Sequence, residues 1–206
     1  MYLPKQFNHP EHARSIILEN PFASLVSNDD EGFPFISHIP IKLMPHETDA
    51  QQDMLLGHVA KGNPHAGFLL KRPQVLLTFM GPQAYMSPAV YPDLIRVPTW
   101  SYVAVHVKAE VRILDGEEAK DALLKQLIAD HEPAYAQQWR GLPETYTHPM
   151  MNAIVAFEMK LLEVQTKVKL NQHRPEAHAA MHAAYDAGNE SEKALALWMR
   201  RLGLVS

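Results

Sequence analysis

The chain has 206 residues, a formal charge of −4, 47% hydrophobic content and no cysteine, enough apolar mass for one full core and a small appended subdomain. The missing cysteine removes disulfides, thiolate-ligated zinc, iron–sulfur clusters and thiol nucleophiles together, and the negative balance argues against a surface built to neutralise nucleic-acid phosphates. No window reaches the roughly 18 unbroken apolar residues of a membrane helix, and MYLPKQFNHP has neither a basic n-region nor an apolar h-region, so the cytoplasm is the expected compartment.

Pro10 at a first helical turn, followed by HARSIILEN, predicts a short helix that ends before Pro21. FASLVS and PFISHIPIKLM are read as two strands around the turn chemistry of Asn28 to Gly32, a hairpin over Phe22–Leu43. Pro40 removes one ladder donor from the return strand and belongs at an edge or bulge, flanked by His38 and Lys42. MLLGHVA is a third strand. Asn63 can cap, and Pro64 suits the first turn of a helix running to about Leu70.

VLLTFMG is read as a buried strand ending near Gly81-Pro82. The stretch from Phe79 to His106 that follows gathers polar and aromatic groups at strand ends, which predicts a ligand site. From Tyr102 the alternation is clean. Val103, Val105, Val107, Ala109, Val111 and Ile113 face one way, with His106, Lys108, Glu110 and Arg112 on the other.

Asp115 and Glu118 suggest a capping box for a helix to about Asp130, and EPAYAQQWRG a second helix closed by Gly141. IVAFEMKLLEV is a further strand, and TKVKLNQHR carries a basic end. Two C-terminal helices follow, PEAHAAMHAAYDAG and NESEKALALWMRRLG, the latter with an Asn189/Glu192 capping box. Antiparallel strands interrupted by crossing helices point to a barrel.

MYLPKQF, GHVAKGNP, FMGPQAYMSP with Tyr91-Pro92, VPTWSYVAVH and KVKLNQHR together resemble the PaiB family of FMN-binding negative transcriptional regulators. The resemblance implies an α+β, mainly β fold: a flavin-type split β-barrel over residues 1–170 with peripheral helices and a C-terminal helical extension over 171–206. It also implies a homodimer with FMN at the subunit interface. Three positions depart from the family pattern: Val90 replaces an aromatic, Ser101 replaces an asparagine, and the KLSQN-type run reads KLNQH through Asn171 and His173.

His58, Lys61 and Asn63, at a strand-to-helix connection, become candidates for the FMN phosphate, because free backbone donors and a lysine suit that anion. Thr99, Trp100 and Tyr102 could frame the isoalloxazine ring, with Ser87 at the same mouth. Lys167, Lys169, Gln172 and Arg174 form a cationic run that could close over phosphate or an acidic substrate, with Arg174 the preferred member. No catalytic residue stands out.

Twelve histidines raise the question of metal. His178 and His182 stand at i and i+4, and His9 and His12 form another pair, yet no HExxH or nearby carboxylate pattern accompanies them and no metal centre is assigned. The reading adopted is a flavin-binding, homodimeric regulator, with direct DNA contact unsupported by charge; the alternatives are a flavin-dependent oxidoreductase and an interaction module that keeps the barrel without the cofactor.

Overall fold

The computed structural model describes residues 1–93 and 95–206, apart from the side chain of Gln51; Leu94, within the connector PDLIRVP, lies outside the described residues. The strands are β1 (Phe22–Asn28), β2 (Pro34–Pro40), β3 (Lys42–Met44), β4 (Met54–Ala60), β5 (Gln74–Met86), β6 (Thr99–Leu114) and β7 (Ile154–Lys169). They form one sheet in the order β2-β1-β5-β6-β7-β4-β3. The described chain divides into two compact units, one of residues 20–79 and 107–164, the other of residues 1–19, 80–106 and 165–206. Each long strand β5, β6 and β7 contributes a segment to both.

In the first unit β1 and β2 pair antiparallel from Phe22↔Pro40 to Asn28↔Pro34. Their turn is built by Asp29, whose Oδ1 accepts from the backbone N–H groups of Glu31 and Phe33 at 2.9 and 2.8 Å. Gly32 there adopts φ +88°, a conformation that costs glycine little. The expected hairpin therefore stops at Pro40. Ile41 donates its N–H to Pro21 O at 2.9 Å, and the chain passes directly into β3, which pairs with β4.

The two outermost strands of the sheet order, β2 and β3, are thus consecutive in the chain with one residue between them. The single-residue link at Ile41 brings the end of one edge strand next to the start of the other. Pro40 lies on the edge strand, as its missing donor requires. The inner faces of this unit meet in Leu25, Leu43, Leu55, Leu77, Phe79, Phe157 and Met159, none more than 2% exposed.

Helix α2 (His65–Lys71) follows β4, and Asn63 Oδ1 accepts the His65 N–H at 3.0 Å, so the expected capping group is in use. Between β6 and β7 stand α3 (Glu117–His131), α4 (Ala136–Gly141) and α5 (Glu144–Asn152). The α3 helix forms where expected but without the Asp115/Glu118 capping box. Gly116 takes the N-cap position at φ 88° with no side-chain cap, which puts Asp115 one residue too early to reach the first turn. The α5 helix was not expected; it carries Pro149 inside it.

The second unit holds α1 (Ala13–Glu19), α6 (Pro175–Asp186) and α7 (Glu190–Arg201) with the distal segments of the long strands. The β5 strand does not stop at Gly81-Pro82 but continues to Met86. At Gln83 the Ser191 hydroxyl serves both backbone groups, accepting from N–H at 2.9 Å and donating to C=O at 2.7 Å. A side chain thus takes the place of a neighbouring strand at Gln83. The Asn189/Glu192 capping box forms as expected, and Asn189 Oδ1 accepts the Glu192 N–H at 3.1 Å. Buried Tyr185 donates its hydroxyl to Ser101 Oγ at 2.9 Å and ties α6 to β6. Ser101 is 1% exposed, so at this position the departure from the family pattern supports packing.

Candidate functional site

A cleft of about 400 Å³ opens within the second unit, between the start of β6, the end of β7 and the segment after Tyr91. Its size lies in the range of small-ligand and cofactor sites. Alternation along β6 buries Ser101 and turns Trp100 outward, 55% exposed. The Trp100 ring meets Tyr85 edge to face, centroids 6.2 Å apart, a favourable geometry for aromatic pairs.

The β7 strand delivers Lys167 and Lys169 on one face, two residues apart. Lys169 Nζ donates to Thr99 Oγ1 at 2.6 Å and to the Trp100 carbonyl at 2.9 Å. Lys167 is 6% exposed and donates to the Tyr2 carbonyl at 2.9 Å. Both ammonium groups approach the Tyr102 ring, at 5.1 Å for Lys167 and 5.9 Å for Lys169, where the π face offsets part of their charge. Burial, and then the Lys167 cation, lower the pKa of Lys169. Among the described residues no carboxylate pairs with either lysine.

The chain reverses just after β7. Asn171 adopts φ 61°, a left-handed conformation that asparagine tolerates better than most residues. Its Nδ2 donates to the Tyr91 hydroxyl at 2.9 Å, and its carbonyl accepts from His178 Nε2 at 3.0 Å. Gln172 closes the turn on itself, accepting from the Leu170 N–H at 2.9 Å and donating to the Val168 carbonyl at 2.6 Å. Arg174 lines the cleft and stands 3.9 Å from Glu176. Arg96 lies over the Tyr91 ring at 5.0 Å and pairs with Asp93 at 2.8 Å, while its buried Nε has no hydrogen-bond partner.

Of the expected site residues, Thr99, Trp100, Lys169 and Arg174 line this cleft. Tyr102 underlies the two lysines, Gln172 holds the turn, and Ser87 Oγ accepts the Ala89 N–H at 3.2 Å in a short 3-10 turn. His58, Lys61 and Asn63 belong to the other unit. There His58 is half-buried with Nδ1 unpartnered, its pKa lowered by burial. Lys61 is exposed, and Asn63 Nδ2 donates to Ser37 Oγ at 3.0 Å. Tyr91, Arg96 and Asn171 also line the cleft, as does the N-terminal segment from Tyr2 to Phe7, without having been singled out as binding residues; the signal for Asn171 was an asparagine at the end of a strand, where a left-handed turn is tolerated.

A separate cleft of about 450 Å³ lies between α3, α4 and α5 in the first unit. Two of its four carboxylates have partners: Trp139 Nε1 donates to Asp121 at 2.9 Å and His148 pairs with Glu117.

Residues 1–163 match a family model described as "Putative FMN-binding domain". The chain belongs to this FMN-binding, PaiB-like family. It is 30% identical over 179 residues to the Protease synthase and sporulation protein PAI 2 of Bacillus subtilis, covering 85% of this chain and 84% of that one. Among solved structures it resembles the flavocytochrome Anf3 of Azotobacter vinelandii, with TM-score 0.59, 14% identity and coverage of 80% and 69% of the two chains. It also resembles the FAD and heme binding protein of Mycobacterium smegmatis, with TM-score 0.58, 14% identity and coverage of 79% and 72%.

The family places the chain on the expected mainly β split-barrel fold with peripheral helices, and FMN is the cofactor by which the family is described. The matched segment ends at residue 163, so Lys167, Lys169, Asn171 and Arg174 come from the part of the chain beyond it. No helix among the described residues is long and apolar enough to cross a membrane.

Proposed function

We propose that this protein binds FMN in the cleft between the start of β6 and the end of β7. The observation that carries the reading is Lys169, a partly buried cation with no carboxylate partner, fixed by Thr99 and the Trp100 carbonyl beside an exposed indole. A desolvated cation is costly alone and favourable opposite an anion. A flat aromatic face next to that cation suits a ligand that is part ring and part phosphate. The unpartnered Arg96 Nε adds a donor that protein atoms leave unsatisfied.

In this reading Lys169 and Arg174 hold the phosphate, Trp100 covers the ring and excludes water from one face, and Tyr102 holds the lysines in place. The resemblance separately implies His58, Lys61 and Asn63 as phosphate ligands; they belong to the other unit, and the reading of this cleft does not use them. Bound flavin would supply the redox chemistry, while the protein supplies position and charge.

The biological output we assign is regulatory and homodimeric, on the strength of the PaiB resemblance. Direct DNA recognition finds little support. Besides the negative net charge, Arg201 pairs with Glu19 at 2.7 Å, and Arg200 stands 3.8 Å from Asp186, so both arginines that close α7 have carboxylate neighbours.

The test is the visible spectrum of purified protein titrated with FMN and, separately, with riboflavin. Saturable FMN binding that exceeds riboflavin binding is expected. A colourless protein that leaves FMN fluorescence unchanged across the titration would overturn the reading.

A further inference from the structure

The N-terminal segment carries a constellation that the flavin reading does not use. His9 Nδ1, a carboxylate oxygen of Glu11 and His12 Nε2 all lie within 4.8 Å of one another. Glu11 Oε1 stands 3.0 Å from His9 Nδ1 and 3.9 Å from His12 Nε2. The sequence offered His9 and His12 as a pair without a carboxylate; the third ligand, Glu11, sits inside that pair.

The backbone explains the convergence. The His9 N–H donates to the Thr166 carbonyl at 3.2 Å, and His12 N–H to the His9 carbonyl at 3.1 Å, closing a single 3-10 turn that starts on Pro10. Proline fixes φ there, so little backbone entropy remains to be lost on binding. The His12 ring is seated edge-on against buried Trp198, centroids 5.2 Å apart. On its far side the His9 ring meets Gln172, with Nε2 to Nε2 3.3 Å. Both imidazoles are mostly covered, at 20% and 24% exposure, while the carboxylate is open at 59%.

A tetrahedral ion with bonds of about 2.0–2.2 Å sets its ligand atoms roughly 3.3–3.6 Å apart; the carboxylate separations of 3.0 and 3.9 Å lie on either side of that range, and the two imidazole nitrogens, within 4.8 Å of each other, need only a small side-chain adjustment to reach it. The geometry points to a divalent-cation site formed by His9, Glu11 and His12. Two imidazoles and one carboxylate select zinc and its first-row neighbours over magnesium or calcium, which prefer all-oxygen shells. Three protein ligands leave one position for water or a further ligand. The cation would sit between His9 Nδ1 and Glu11 in place of their direct contact. The His9 proton then resides on Nε2, and the contact to Gln172 loosens.

The test uses full-length protein free of any affinity tag, titrated with Zn²⁺ by calorimetry and with Co²⁺ by visible absorption. One saturable site is expected, with the d–d intensity of a low-symmetry Co²⁺ centre. Glu11→Gln and His12→Ala should each weaken Zn²⁺ binding at least about tenfold, while His131→Ala, at an exposed histidine of the other unit, should leave it unchanged. Circular dichroism checks that both variants fold, and the exposed Glu11 makes E11Q the safer one. Absence of a saturable Zn²⁺ site, or a site whose affinity is the same in E11Q and H12A as in wild type, overturns the proposal.

Discussion

Replacing Lys169 by Met separates cofactor binding from folding. Methionine keeps an unbranched stem of similar reach and deletes the ammonium. Opposite unit charges about 4 Å apart attract by roughly 4 kcal/mol at an effective dielectric near 20. The cleft is partly open, and a hydrogen bond to a charged group nets about 1.5–3 kcal/mol, so a discounted loss of about 2 kcal/mol is the working value. That corresponds to roughly a 30-fold rise in the Kd for FMN. Riboflavin, which lacks the phosphate, should bind the variant within about threefold of wild type. The ligand-free variant should remain folded, because removing a cation whose pKa is lowered by burial offsets the loss of its bonds to Thr99 and Trp100. Flavin fluorescence titration of both proteins, with both ligands, reads the result. If FMN affinity moves less than about threefold, or riboflavin affinity falls as far as that of FMN, Lys169 does not face the phosphate.

Two further outcomes probe the first unit. His65 is fully buried, its ring nitrogens 2.9 Å from Ser37 Oγ and 3.0 Å from Ser27 Oγ, and burial lowers its pKa below the ordinary 6.5. The unfolded chain takes up that proton first, so this contribution to stability is present above about pH 6.5 and is lost as pH falls toward the lowered folded-state value. His58 and His106, also lowered by burial, act with the same sign. Melting temperatures should fall from pH 8 to pH 5, and His65→Leu should flatten part of that slope while costing about 2 kcal/mol for the hydroxyls it strands; an unchanged slope in the variant would refute the assignment. Gly57→Ala should destabilise by about 1–3 kcal/mol in urea melts, since a Cβ there would meet Ile41 Cδ1 at 2.9 Å and Phe157 Cε2 at 3.0 Å, and a neutral result would mean that Ile41 can withdraw freely.

Elements governed by neighbouring residues were readable from the chain. The Asn189/Glu192 cap, the alternation of β6 and the Asp29 turn each depend on contacts within a few positions. Other features needed partners far away. β5 continues past Pro82 and meets Ser191 at Gln83, 108 residues away in sequence, where a short-range reading can only see a breaker. The α5 helix keeps Pro149, against local propensity, and the Asp115/Glu118 box failed because a glycine one residue on takes a positive φ. The site divides in the same way. Lys169 and Arg174 announced themselves as a basic run, and Trp100 as an aromatic at a strand start. Tyr91 and Asn171 meet across 80 residues of sequence, and Glu11 gains meaning only when a 3-10 turn folds it between two rings.

The single-residue link at Ile41 has a consequence for how this sheet can vary. Ile39, Ile41 and Leu43 are all buried, at 8%, 2% and 2% exposure, with Pro40 and Lys42 turned away between them. The inside–outside phase therefore passes unbroken through the point at which the chain changes partner strands. The two hairpins are geared together: one extra residue at this joint would reverse the facing of either Ile39 or Leu43, and with it a whole strand. Length changes that preserve both cores must come in pairs at the joint, or be absorbed in the loops where Asp29 and Asp53 already organise the backbone.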